Sequence, residues 1–400
     1  MKVLFLTLSK INSIEEHSIY QDLLRKFREE GHSIYIVSPL ERRYKRKTNL
    51  IYEDHVTILN VWTPNIQKSN IIEKGFGTII LEFLFQKAIN RFLKNLKFDL
   101  IMYSTPPITF TRLVGDLKKK NDAKTYLLLK DIFPQNAIDL KMISSKGLLY
   151  KYFRRKEMEL YIMSDWIGCM SEENKKYILK HNTYLSEEKV EVNPNSIYLK
   201  ENNILINYNH ELLNLIPKDK TIFIYGGNLG KPQGIDFLLD VIVDAKNNSK
   251  AFFIVVGSGT ETKRIIEWFK VNKPENALFF NELNQYDYNI LLQNCHVGLV
   301  FLSPTFTIPN YPSRILPYMN NQLPILFATD INTDVGKEAE TYEYGFWCES
   351  GKLDDFQKFI KLFTCNSELR IKMGNNGYNR LKNDFNVNYS YNMIMNHFQD

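Results

Sequence analysis

The chain alternates between two patterns of apolar and polar positions. Short apolar runs stand at "KVLFLTL" (2–8), "SIYIVS" (33–38), "DLIMYS" (99–104), "KTYLLL" (124–129) and "DWIGCM" (165–170). Between them lie longer stretches, such as Glu15 to Glu30 and Phe110 to Lys120, in which apolar residues recur on one helical face. Runs without polar alternation suit strands covered on both faces, and the intervening period suits amphipathic helices. This is the βαβ rhythm of a parallel sheet. It restarts at "TIFIYGG" (221–227) and continues through "AFFIVVG" (251–257), "ALFF" (277–280), "VGLVFL" (297–302) and "PILFAT" (324–329). The stretch 201–220 that divides the two series is polar and rich in Asn, as a linker is. The expected fold is therefore α/β, with two doubly wound Rossmann-like domains facing across a cleft. Their expected bounds are 1–200 and 219–383, joined by a linker at 201–218, with a terminal helix at 384–400 closing on the interface.

Open parallel sheets bind ligands beyond the carboxyl ends of their strands, so the loops after strands are where chemistry is expected. "YGGNLGKPQG" (225–234) follows one strand and precedes a helix; Gly226, Gly227 and Gly230 permit close backbone approach, and Lys231 adds a cation. Such a turn presents N–H groups to an anion, although its spacing is neither a P-loop nor Gly-x-Gly-x-x-Gly. Gly257-Ser258-Gly259 repeats the arrangement after the next strand. In "IPNYPSRILPYMNNQLPI" (308–325), Ser313 is placed as the N-cap of a helix beginning at Arg314, with outward first amides and Arg314 in reach of an anion. Pro317 then falls at the fourth helical position; a helix with Pro317 as its first residue is the alternative. In the first domain, Lys130 and Asp131 stand at a strand's carboxyl end within "LLLKDIFPQNAIDL" (127–140), and Glu16 follows the first strand.

Charge sharpens this picture. The net charge is +6, but residues 1–200 hold 33 Lys and Arg against 23 Asp and Glu, a net +10, whereas 201–400 hold 18 against 22, a net −4. A basic first half favours an anionic partner, either a membrane surface or a lipid phosphate, and no nucleic-acid motif accompanies it. The stretch 76–96 is a candidate for docking at a bilayer or for core packing. The apolar run of "MKVLFLTLSK" is too short for a signal-peptide core, so a cytoplasmic protein is expected. Cys169, Cys295, Cys348 and Cys365 form no Cys-x-x-Cys and are expected to be buried free thiols. No Asp-x-Asp, His-x-Glu-x-x-His or Gly-x-Ser-x-Gly occurs, so neither a metal nor another cofactor is expected. Two phosphate-friendly loops in one domain instead suggest a diphosphate held by helix ends and cations.

Taken together, "INSIEEHSIYQDLLRKFREEGHSIYIVSP", "FDLIMYSTPPITF", "YLLLKDIFPQNAIDL", "SDWIGCMSEENKKYILKHN", "VNPNSI", "YGGNLGKPQGIDFLL" and "YPSRILPYMNNQLPI" resemble the GT-B glycosyltransferases of the GT4 type. Within them the chain looks most like the capsule and O-antigen branch, and there like N-acetyl-L-fucosamine transferases. The resemblance implies a UDP-sugar donor, an undecaprenyl-diphosphate-linked sugar acceptor and a location at the inner face of the plasma membrane. It implies that Gly227, Asn228, Lys231, Gln233, Gly257, Pro312, Ser313 and Arg314 lie at the donor. Two departures stand out. Asn228 and Gln233 occupy positions where many members carry Arg and Lys, and Pro309 and Pro317 occupy those of the paired glutamates, one of which usually holds the ribose.

Transfer from a nucleotide sugar breaks the bond between C1 and a diphosphate oxygen, so negative charge grows on the leaving group. Fixed N–H dipoles, Arg314 and Lys231 are suited to that charge. Asp131 is the first candidate to take the proton of the acceptor hydroxyl and Glu16 the second, while Lys130 is placed to meet the donor sugar or the lipid diphosphate. The rivals are an NAD-dependent oxidoreductase, disfavoured by the absent Gly-x-Gly-x-x-Gly, a catalytically inert nucleotide-binding subunit, and a nucleotide-sugar epimerase.

Overall fold

The computed structural model of the chain describes residues 1–66, 71–199 and 211–399. Residues 200–210, most of the expected linker, lie outside the described residues, as do the side chains of 71–79, with which the 76–96 stretch begins. Two units are observed, Met1–Tyr198 together with the segment from Asn386, and Leu199–Phe385.

The strands of the first unit are β1 (Lys2–Leu6), β2 (Ser33–Glu41), β3 (Asn49–Glu53), β4 (Val56–Thr63), β5 (Leu100–Ser104), β6 (Lys124–Leu128), β7 (Trp166–Cys169) and β8 (Val190–Val192). They form a sheet in the order β3-β4-β2-β1-β5-β6-β7-β8. Neighbours pair in parallel, with Lys2 opposite Ser33 and Val3 opposite Leu100, except that β3 returns antiparallel on β4, Ile51 opposite Ile58. That hairpin escaped the sequence reading because its edge strand is only half-buried and lacks a continuous apolar run. The helices are α1 (Ile19–Glu29), α2 (Ile71–Phe92), α3 (Thr111–Asn121), α4 (Gln135–Asp139), α5 (Leu148–Met163) and α6 (Glu172–His181). Ser18 caps α1 by accepting from the Gln21 amide, and Leu23, Leu24 and Phe27 turn inward. The core gathers Val3, Phe5, Phe27, Ile36, Met102 and Leu128. In α2, Leu81, Phe85, Ala88 and Ile89 are buried in the core, half of the helix's described apolar residues, while Phe83 is exposed.

The second unit holds β9 (Thr221–Gly226), β10 (Ala251–Val256), β11 (Ala277–Phe280), β12 (Val297–Phe301), β13 (Ile325–Thr329) and β14 (Gly345–Glu349). All pair in parallel, in the order β11-β10-β9-β12-β13-β14. Its helices are α7 (Ile235–Asp244), α8 (Thr262–Asn272), α9 (Gln285–Gln293), α10 (Ile315–Asn320), α11 (Val335–Thr341), α12 (Leu353–Cys365) and α13 (Ser367–Asp384). Phe301 packs on Phe356 at 5.1 Å and Phe223 on Phe253 at 5.3 Å between ring centroids. Cys169, Cys295 and Cys348 are buried free thiols, but Cys365 is exposed at the end of α12, contrary to expectation, because it falls on that helix's outward face.

The terminal helix α14 (Val387–Met395) belongs to the first unit. Ile197 and Asn386 form a parallel bridge, and Ser390 Oγ donates to Asn193 Oδ1. Tyr391 lies edge-on to Phe27 at 4.8 Å, and Ile394 is fully buried in the same core. A strap that buries an isoleucine this deeply holds the unit together. Ile394→Ala is expected to destabilise the first unit by about 2–5 kcal/mol, read as lost hydrogen-exchange protection in β1, β2 and α1.

Candidate functional site

In the second unit, β9 delivers its chain into Gly226-Gly227 at the sheet's carboxyl edge. Gly227 has φ of +131° and Gly257, after β10, has φ of +148°, a region that side chains rarely enter. A Cβ on Gly257 would overlap the Gly227 carbonyl, so the two loops touch backbone to backbone. Leu229 N–H donates to Ser258 O at 3.0 Å and Glu261 N–H to Leu229 O at 2.9 Å, which ties them together. Tyr318 Oη accepts from Gly226 N–H at 2.9 Å, and Tyr225 Oη donates to Asn228 O at 2.8 Å.

Arg314 reaches this place from the start of the helix that follows β12. Its guanidinium lies over the Tyr225 ring, 4.4 Å from the centroid, and a Cβ on Gly227 would stand 3.5 Å from its Cζ. Nη2 donates to Gln233 Oε1. Nη1 is buried and makes no hydrogen bond among the described residues. An unpaired buried donor on a cation is costly unless something anionic completes it. Lys231 is exposed in the same turn, and Asn228 is exposed beside Gly227.

The helix after Pro312 differs from expectation. α10 begins at Ile315, its N-cap is Arg314 with helical φ of −63°, and no side chain caps it. Ser313 is exposed in the preceding turn, and Pro317 is the third helical residue, neither the fourth nor the first. Ile315 N–H goes to Pro312 O at 3.3 Å and Leu316 N–H to Ser313 O at 3.1 Å, while Pro317 has no N–H to offer. Two of the amides expected to face an anion, those of Ile315 and Leu316, are therefore used locally. The reason is packing: Ile315, Leu316, Tyr318 and Met319 are buried, and that demand sets where the helix starts. What reaches the glycine loop is the Arg314 side chain. Pro309 is buried.

In the first unit, Thr105 after β5 meets Lys130 and Asp131 after β6. Thr105 Oγ1 accepts from Lys130 N–H at 3.0 Å and Asp131 N–H at 3.3 Å. Lys130 Nζ donates to Asn193 O at 3.4 Å, and burial pulls its pKa down to about 7. Burial pushes the Asp131 carboxyl up to about 6, against hydrogen bonds from Asn136 Nδ2 at 2.7 and 2.8 Å and from the Ile132 amide. Tyr20, also raised by burial, lies near Asp131 and bonds to Ser104. Glu16 stands exposed in the loop between β1 and α1. Sequence reasoning missed Thr105, Asn136 and Asn193, and in the second unit Tyr225 and Tyr318. Thr105 ahead of Pro106-Pro107 and Tyr225 ahead of two glycines sit at strand ends and were findable there; Asn193 and Tyr318 carry no local signal. Among the described residues no group of three or more His, Cys, Asp or Glu could hold a metal ion, and no helix is long and apolar enough to cross a membrane.

Residues 213–380 match the model of the family described as glycosyl transferases group 1. The match spans the glycine loops and Arg314, and a glycosyltransferase activity of the group 1 type is supported. The chain is 23% identical over 293 residues to a probable glycosyltransferase, WbjE, of Pseudomonas aeruginosa, which covers 71% of this chain and 70% of that protein. Among solved structures it superposes on sucrose-phosphate synthase from Thermosynechococcus elongatus with a TM-score of 0.74, 13% identity and coverage of 100% and 98%. It superposes on WaaG, a glycosyltransferase involved in lipopolysaccharide biosynthesis, with 0.65, 12%, and coverage of 98% and 99%. For Anabaena HepE in complex with UDP the values are 0.68, 14%, and 100% and 99%. At these identities the structures establish the GT-B fold.

The titration of Asp131 has a consequence for stability. A carboxyl whose folded pKa lies above its unfolded value stabilises the fold fully below the unfolded pKa, and that contribution is lost as pH rises through about 6. Asp131→Asn is thus expected to gain about 1–2 kcal/mol over the parent at pH 7.5 and nothing at pH 4, measured by urea unfolding at the two pH values.

Proposed function

We propose that the protein transfers a sugar from a UDP-sugar to the hydroxyl of an undecaprenyl-diphosphate-linked saccharide, without a metal ion, in capsular or O-antigen polysaccharide biosynthesis. The observation that carries this reading is the Arg314 guanidinium, held by Gln233 and Tyr225 against Gly227 with a buried Nη1 left to be completed. A diphosphate oxygen is the partner that such a group suits, because a fixed, charged donor stabilises the leaving group as its charge grows. Lys231 and the Gly227-Asn228 turn add a second cation and backbone amides. One half-buried arginine steadied by Gln233 then takes over from the Arg and Lys that members of the resembled family carry at 228 and 233.

In the first unit, Asp131 accepts the proton of the acceptor hydroxyl. A carboxyl near pH 6 is a suitable base for neutral conditions. Lys130, half-neutral near pH 7, offers a donor to an anionic or hydroxyl group of the substrate. Glu16, exposed in the loop between β1 and α1, is the weaker candidate. The resemblance to N-acetyl-L-fucosamine transferases makes UDP-N-acetyl-L-fucosamine the first donor to try, and a hexosyl or acetamido sugar the class.

The deciding experiment is a panel of UDP-sugars assayed for UDP release with and without a lipid-diphosphate-sugar acceptor. Release only with acceptor supports transfer. Binding of UDP without release supports the inert subunit, for which Pro309 and Pro317 speak. A charged hydrogen bond of ~1.5–3 kcal/mol, at ~1.4 kcal/mol per decade, sets the expected loss for Arg314→Ala at about ten- to a hundredfold in kcat; an unaltered kcat removes Arg314 from this role. Because the Asn136 bonds hold the Asp131 pKa down, Asn136→Ala is expected to move the acid limb of the kcat/KM profile to higher pH. A limb that stays in place excludes Asp131 as the base.

A further inference from the structure

The surface that follows Asp131 in the chain has an unusual composition. From Leu140 to Lys156 there are six Lys and Arg residues and no Asp or Glu. The loop 140–147 and α5 that make up this stretch expose large apolar side chains: Met142 is 65% exposed, Leu148 83% and Leu149 53%. On α5, Leu148, Lys151, Tyr152, Arg155, Met158 and Ile162 stand at i, i+3, i+4, i+7, i+10 and i+14, one side of the helix, and all are exposed. The opposite side buries Glu157, Leu160 and Tyr161 against the unit. Soluble surfaces rarely leave this much contiguous apolar area in water without a partner.

The charges around the patch identify that partner. Arg154 and Lys156 are engaged within the unit, with Glu157 and Glu159, and Arg155 also pairs with Glu159 at 2.9 Å. Lys141, Lys146 and Lys151 are exposed and flank the leucines along the chain. Exposed apolar side chains interspersed with lysines match the headgroup boundary of an anionic bilayer. A second copy of this chain would bring like charge against like, and a nucleic acid would leave the leucines without a place to go. The geometry points to Met142, Leu148, Leu149 and the outward face of α5 as the surface by which the first unit docks on anionic lipid. This rests on the reading of Asp131 as serving a lipid-linked acceptor, and it gives that acceptor an approach. Met142 N–H bonds to Ala137 O at 2.8 Å in α4, whose Asn136 holds Asp131. Phe153 of α5 packs edge-on to Phe133 at 5.0 Å, two residues beyond Asp131. The docking patch and the proposed base are thus one packed segment, so lipid held at the patch lies next to the carboxyl.

The test uses the full chain, vesicles of phosphatidylcholine with and without phosphatidylglycerol, and two variants, Leu148→Ser/Leu149→Ser and Lys146→Glu/Lys151→Glu. Neither pair belongs to the proposed donor or acceptor machinery. Sedimentation is expected to show binding to the anionic vesicles alone, weakened at high salt and reduced about tenfold or more by either pair. UDP release with a short-chain, water-soluble acceptor is expected to be unaltered, which also shows that the variants are folded. Parent binding that is absent, equal on neutral vesicles, or indifferent to both pairs overturns the inference. So does a parent oligomer that the variants convert to monomer. If no acceptor supports UDP release yet vesicle binding follows the variants, the docking surface stands and the transferase reading is what has failed.

Discussion

A guanidinium N–H withdrawn from water must find an acceptor or cost about 1–3 kcal/mol, and the second unit is organised around one such group. Arg314 is placed by α10, whose start is fixed by the burial of Ile315, Leu316, Tyr318 and Met319. Its plane rests on Tyr225, Nη2 is satisfied by Gln233 and the buried Nη1 makes no hydrogen bond among the described residues. The Tyr318 hydroxyl that steadies Gly226 comes from the same short helix. The positive φ at 227 and 257 favours glycine at both positions, and a Cβ on Gly257 would overlap the Gly227 carbonyl. Removing one part therefore disturbs the others.

The first unit keeps a different imbalance. Lys130 and Asp131 are neighbours in the chain, yet each pKa is displaced by burial and not by the other. Around neutral pH the fold holds both near their titration points, which disfavours stability and favours proton transfer. Thr105 fixes the backbone of both, and Asn136 and Asn193 fix their side chains. Asn193 in turn receives Ser390 from the terminal helix, so the strap that returns from the end of the chain braces this pair as well as the core.

The outward face of α5 has its own logic. Most helices here pay one face to a core and leave the other polar, as α1 does with Leu23, Leu24 and Phe27 inside. In α5 a carboxylate, Glu157, is turned inward to meet Arg154 and Tyr161, while leucines and an isoleucine are turned out. Such an inversion is stable only when the exposed apolar residues have somewhere to go.

The sequence by itself determined most of the architecture. Strands buried on both faces must be apolar throughout, and helices that cover them must be apolar on one side, so the βαβ rhythm, the restart at Thr221 and the glycine loops after β9 and β10 were legible in residue order. The signal failed where burial is partial, as in the β3 hairpin, or where a helix start depends on side chains elsewhere, as at Ser313 and Pro317. Candidate residues such as Asp131 and Arg314 could be picked from their place at strand ends. Tertiary structure alone decided what surrounds them. That Gln233 meets Arg314, that Asn136 restrains Asp131 and that α14 returns to the first unit are contacts between residues far apart in the chain or turned toward each other by a fold. No local pattern encodes them, because hydrogen bonds and burial are set by distance in space and periodicity reports only distance along the chain.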